Sequence, residues 1–66
     1  MANEAQLVQQ LLNDAGFDAG TVDGRFGPQT RAALERFRAN AGTTEPAQVA
    51  AIQQALQAVA DAGVIG

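Results

Sequence analysis

The chain has 66 residues, a formal net charge of −3, and neither cysteine nor histidine. That length allows one small domain whose core comes from apolar packing alone, because disulfides, imidazole bases and most zinc sites leave with those residue types. The sequence holds no apolar run near the roughly eighteen residues a membrane span needs, and its first residues lack a basic stretch followed by an apolar block. Neither membrane insertion nor a signal peptide is therefore expected of this chain.

Charge is unevenly distributed. All four basic residues, Arg25, Arg31, Arg36 and Arg38, fall within one short block, and only Glu35 interrupts it. Arginine without lysine suits planar recognition of carboxylate or phosphate, and it equally fits a genome rich in arginine codons. The net negative charge argues against nucleic acid as a partner, since affinity there comes largely from neutralised phosphates.

From about residue 4 to 15, Leu7, Val8, Leu11, Leu12 and Ala15 follow the spacing of an amphipathic helix. On this reading Gln9, Gln10 and Asn13 face away, Asn3 is the N-cap, and Gly16 takes the left-handed position past the helix end with Phe17 tucked back. Asp18-Ala19-Gly20-Thr21 is a turn by composition. Its acids do not fit the alternating oxygen ligands and distant Glu of a calcium loop, so no metal is expected.

Val22-Asp23-Gly24-Arg25-Phe26-Gly27-Pro28-Gln29-Thr30 is the stretch with most local information. Gly24 and Gly27 flank Arg25-Phe26 and signal a sharp turn or positive φ, and Asp23 is expected to accept from backbone N–H groups two or three residues on. Pro28 fits the first position of a second helix, over about 28–41, with Thr30, Ala33, Leu34, Phe37 and Ala41 inside and Gly42 as its end. The N–H groups at that helix start can receive an anion. Arg31 and Arg38 share one flank of the helix, with Arg36 on the other.

Thr43-Thr44-Glu45-Pro46 reads as a loop and helix start, with Thr44 or Glu45 as the cap. A third helix over about 46–62 has Val49, Ile52, Leu56, Val59 and Ala60 as its inner stripe and Gly63 as a stop. The rest of its surface is alanine and glutamine, without charge between Glu45 and Asp61, which suits either helix-forming filler or packing on another domain. Val8-Gln9-Gln10-Leu11-Leu12 is faintly echoed by Ile52-Gln53-Gln54-Ala55-Leu56. The expected fold is all-α, a compact three-helix bundle with an ordered glycine-rich loop between the first two helices.

The order helix, Gly-Phe, Val-Asp-Gly-Arg-Phe-Gly-Pro-Gln-Thr, then Ala-Leu-Glu-Arg-Phe resembles the peptidoglycan-binding domain family of type one, over about residues 7–42. The resemblance implies one non-catalytic domain over residues 1–66, appended to cell-wall hydrolases or phage lysins and tethering them to murein. Val22, Phe26, Leu34 and Phe37 would be core, Asp23, Gly24 and Gly27 would shape the loop, and Thr30 would cap the second helix. The family's second glycine loop, its Gly-x-x-Thr helix start and its later aromatic have no counterpart after Gly42, and the chain has no Trp or Tyr.

Joined to the charge pattern, the resemblance gives a ligand-binding set of Asp23, Gly24, Arg25, Phe26, Gly27, Thr30 and Arg31, facing stem-peptide carboxylates of peptidoglycan. The alternative for Arg25 and Arg31 is a solvated surface. No catalytic residue and no cofactor is expected, since the chain lacks Ser and Lys as well as His and Cys and has no clear facing acid pair. A parent enzyme domain or particle subunit is the other expected partner, at the cell wall, in the periplasm or in a phage-like particle. The competing reading of the same fold is a docking or assembly module that uses the third helix and does not bind peptidoglycan.

Overall fold

A computed structural model of the chain describes residues 4–61, which form three helices joined by one long and one short loop. Helix α1 spans Glu4–Asp14, α2 spans Pro28–Asn40 and α3 spans Pro46–Asp61. No strand occurs among the described residues, and the architecture is an all-α three-helix bundle. Asn3, Ala62 and Gly63 lie outside the described residues.

The end of α1 is closed by backbone geometry. Gly16 adopts φ +87°, its N–H donates to the Asn13 carbonyl at 3.0 Å, and the Phe17 N–H donates to the Leu12 carbonyl at 2.9 Å. This paired arrangement satisfies two carbonyls that the helix leaves open and turns the chain back on itself. The Phe17 ring then meets Phe37 of α2 edge to face, with centroids 5.9 Å apart and planes at 78°. The sequence signal of Gly after a periodic run is thus expressed as a tie between α1 and α2.

At the start of α2, Gly27 is the capping residue in an extended conformation, φ −81° and ψ −173°, and no side chain caps the helix. Thr30 does not cap it, contrary to expectation; it lies inside the first turn and is buried. Pro28 at the first position costs nothing because that N–H would have no intrahelical acceptor. The other end also differs from the sequence reading. Gly42 does not take positive φ; instead the Thr44 N–H and hydroxyl both donate to the Asn40 carbonyl, at 2.9 and 2.7 Å. Thr44 therefore closes α2 rather than opening α3, and Glu45 supplies the first carbonyl of α3, accepting from the Val49 N–H at 3.0 Å.

The core is formed by Ala5, Val8 and Leu12 of α1, Ala19 of the loop, Ala33, Leu34 and Phe37 of α2, and Ile52, Ala55 and Val59 of α3. Leu11, Phe17, Phe26, Val49 and Leu56 pack against it while partly exposed. Several positions depart from the sequence expectation. Leu7 is 45% and Val22 36% exposed, Ala60 is exposed and Ala41 half-buried, whereas Ala55 is buried. The stripe of α1 is rotated toward Ala5, Val8, Gln9 and Leu12, which are spaced i, i+3, i+4 and i+7. The echo between α1 and α3 stops at their apolar residues: Val8 and Ile52 are both fully buried, but Gln9 is buried and Gln53 exposed.

Candidate functional site

The loop from Phe17 to Gly27 has no regular structure, so its backbone polar groups need partners from elsewhere. Two amides of α1, four residues apart on one face, supply them. The Asn13 Oδ1 accepts from the Ala19 N–H at 2.6 Å, and its Nδ2 donates to the Gly20 carbonyl at 2.9 Å. Gln9 does more. Its Oε1 accepts from the N–H groups of Asp23 at 3.1 Å and Gly24 at 2.8 Å, and its Nε2 donates to the Arg25 carbonyl at 2.7 Å, Thr30 Oγ1 at 3.1 Å and Asp23 Oδ1 at 3.2 Å.

Gln9 is 1% exposed, and a buried amide is tolerated because its hydrogen-bonding capacity is met. Its two hydrogens are shared among three acceptors. Thr30, 3% exposed, passes the connection on by donating its hydroxyl to the Ala19 carbonyl at 3.1 Å. One side chain of α1 thereby fixes the loop, the start of α2 and the turn at Ala19 relative to each other. Gln9 and Asn13 were expected to face away; they are instead the residues that hold the loop. Their i, i+4 spacing, with Gln9 inside the Ala5-Val8-Leu12 stripe, is the signal that marks them.

The loop residues then fall into place individually. Asp23 bends back on itself: its Oδ1 accepts from the Arg25 N–H at 2.9 Å, as its position before glycine suggests. That backbone bond and the Gln9 amide hold the Asp23 carboxyl below the usual carboxylate range. Gly24 has φ +79°, where a Cβ would be strained, but Gly27 does not need glycine for its backbone angles. Phe26 is half-buried against the core.

Asp23, Arg25, Gly27 and Thr30 line a shallow depression of about 170 Å³, together with Thr21 and Gln29. Gly24, Phe26 and Arg31 are not part of its lining. Arg31 is exposed on the first turns of α2, where its N–H donates to the Gly27 carbonyl at 3.1 Å. Among the described residues neither the Arg25 nor the Arg31 guanidinium donates a hydrogen bond or forms an ion pair; the Arg25 guanidinium, unlike its backbone N–H, acts on Asp23 only through space, as the least of the influences on that carboxyl. The first turn of α2 contains no acidic residue, so the positive end of the helix is not neutralised from within. No group of His, Cys, Asp and Glu able to hold a metal ion is assembled among the described residues, and no helix there is long and apolar enough to cross a membrane.

The loop motif, stapled to α1 and running into α2, falls inside the span over which residues 2–46 match the family model of the peptidoglycan-binding domain, type 1. The chain belongs to that family. No curated protein and no solved structure matches it. The match runs to Pro46, the first residue of α3, four residues beyond Gly42, where the sequence reading ends the resemblance, and it leaves the rest of α3 outside. The peptidoglycan-binding domain is a binding module, generally without catalytic activity, and membership associates the chain with the cell wall. Within this member the buried Gln9 sits beneath the signature, whose last residue, Thr30, is buried as well, and Val22, although part of it, is on the surface.

Proposed function

We propose that the domain, formed by residues 1–66, is a non-catalytic module that attaches a parent protein or particle to peptidoglycan by gripping stem-peptide carboxylates with Arg25 and Arg31. The observation that carries this reading is that both residues are exposed and that neither guanidinium makes a hydrogen bond or ion pair among the described residues, beside a helix start without an acid of its own. A guanidinium can meet a carboxylate with two parallel hydrogen bonds, and such charge-assisted pairs are about twice as strong as neutral ones. The rigid loop supports specificity. Gln9 and Asp23 fix the Arg25 backbone from both its carbonyl and its N–H, so less ordering is required when a ligand arrives.

The site offers no aromatic platform for a sugar ring, because Phe26 is packed against the core and the chain has no Trp or Tyr. Charge recognition of the peptide is therefore favoured over stacking on the glycan strand. The test is a titration of the labelled domain with a stem peptide bearing free carboxylates and with the same peptide fully amidated. Amide shifts at Arg25, Arg31 and their neighbours are expected with the first only. Equal shifts with both, or none with either, would overturn the carboxylate reading.

A further inference from the structure

The side of α1 opposite the loop carries a second feature. On a helix of about 3.6 residues per turn, Leu7 and Leu11 each lie about 160° around the axis from Gln9. There they line two depressions that join at Leu11 and Ala51: one of about 380 Å³ reaching Glu4 and Ala58, the other of about 230 Å³ reaching Asp14 and Gln48. The pairing of Glu4 and Leu7 with Ala58, and of Asp14 with Ala47, shows that α1 and α3 run antiparallel along this seam. Its floor is apolar, with Leu7 45% exposed at one end.

The charges are at the ends. Glu4 and Asp14 bound the groove on α1, ten residues or about 15 Å apart. Because the helices are antiparallel, Asp61 at the end of α3 lies toward the Glu4 end, and Glu45 just before α3 lies toward the Asp14 end. Neither α1 nor α3 contains a basic residue. Among the described residues the groove is thus a largely apolar trough, with Gln48 and Gln54 as its uncharged polar lining and carboxylates at both ends.

We propose that this groove docks an amphipathic helical segment of another protein, with an apolar stripe for Leu7, Leu11 and Ala51 and a basic residue near each end. Charge complementarity selects that occupant over the alternatives. In a second copy of this chain, a two-fold pairing of the grooves sets either Glu4 against Glu4 or Glu4 against Asp14, and carboxylates repel in both cases. The exposed face of α2, with Arg31, Glu35 and Arg38, offers no apolar stripe to fill the trough. An anionic lipid surface is repelled by the same acids. The inference is independent of peptidoglycan binding, since groove and loop site lie on opposite sides of α1.

The experiment is a titration of the full labelled chain with an amidated, acetylated helical peptide of about fourteen residues. It carries leucines at three- and four-residue spacing and two arginines about ten residues apart, matching the groove's length. A second peptide has glutamate in place of both arginines. Saturable amide shifts confined to the seam between α1 and α3 are expected with the arginine peptide, at least about tenfold tighter than with the glutamate peptide. Leu7→Ser, at a position exposed enough to leave the fold intact, is expected to weaken binding by about tenfold. The Glu4→Gln/Asp14→Asn pair should weaken it several-fold and flatten its salt dependence. Absence of saturable shifts, equal binding of the two peptides, or a dimer seen by light scattering that Leu7→Ser disperses would each overturn the proposal, the last in favour of a second copy.

Discussion

The side-chain amide of Gln9 and residue Asp23 exchange two hydrogen bonds: Nε2 donates to the Asp23 Oδ1 at 3.2 Å, and Oε1 accepts from the Asp23 N–H at 3.1 Å. A buried side chain of α1 thus holds both the carboxylate and the backbone of the loop's central residue. The loop's shape is a property of α1 as much as of its own glycines.

Replacing that amide should therefore damage the loop before the bundle. Gln9→Leu keeps the volume but strands the N–H groups of Asp23 and Gly24, at an expected cost of about 2–3 kcal/mol. In a domain of this size that corresponds to a fall in Tm of roughly 10–20 °C. Gln9→Glu keeps the acceptor oxygen but sets a second carboxyl beside Asp23, so its deficit should be larger at about pH 7 than at about pH 5. Thermal denaturation of the three proteins at both pH values checks this, with hydrogen exchange at Gly24 as the local readout.

Asp23 also sets the acid limit. Its carboxyl is held down first by the Arg25 N–H and then by the Gln9 amide, so its folded pKa lies below the unfolded value of about 3.9. A depressed folded pKa means the stabilisation is present above the unfolded value and is lost as pH falls through the folded one. Denaturation midpoints should decline below about pH 4, and Asp23→Asn should show a shallower decline. With no histidine in the chain, stability should be nearly flat between about pH 5 and 8.

The glycines of the motif should separate cleanly. Gly24 has φ +79°, so Gly24→Ala is expected to cost about 1–2 kcal/mol. Gly27 is extended and a Cβ there would meet nothing within 4 Å, so Gly27→Ala should leave the melting curve within about 0.5 kcal/mol of the parent. Equal losses at the two positions would contradict the loop geometry.

Leu7 and Leu12 look alike in sequence but not in the bundle. Leu12 is fully buried and Leu12→Ala is expected to cost about 2–5 kcal/mol, enough to unfold much of so small a domain. Leu7→Ala, at a 45% exposed position, should cost under about 1 kcal/mol. Urea denaturation of the two variants measures the difference.

The helices were legible because their signals are local: apolar residues three and four apart, Gly16 past α1, and Pro28 and Pro46 at the starts of α2 and α3. The site was less legible because its support is not local. Periodicity treats a glutamine as outward-facing, yet Gln9 bonds to residues 14 to 21 positions away, which no window along the chain contains. Periodicity does place Thr30 on the inner face of α2, where it is buried, but the cap that the family resemblance implies is not made, because Gln9 and Ala19 engage its hydroxyl. Leu7 and Val22 were misplaced inward because hydrophobicity alone does not say which side of a stripe a small bundle can cover.

Whether Arg25 and Arg31 hold peptidoglycan is tested by co-sedimentation of the purified domain with insoluble bacterial sacculi at low and moderate salt, beside the Arg25→Ala/Arg31→Ala variant. Both side chains are exposed and make no hydrogen bond or ion pair among the described residues, so the variant should fold normally. The parent domain is expected to sediment with sacculi, less so as salt rises, and the variant to stay in solution. Undiminished sedimentation of a folded variant, or none by the folded parent, would contradict that role for the two arginines.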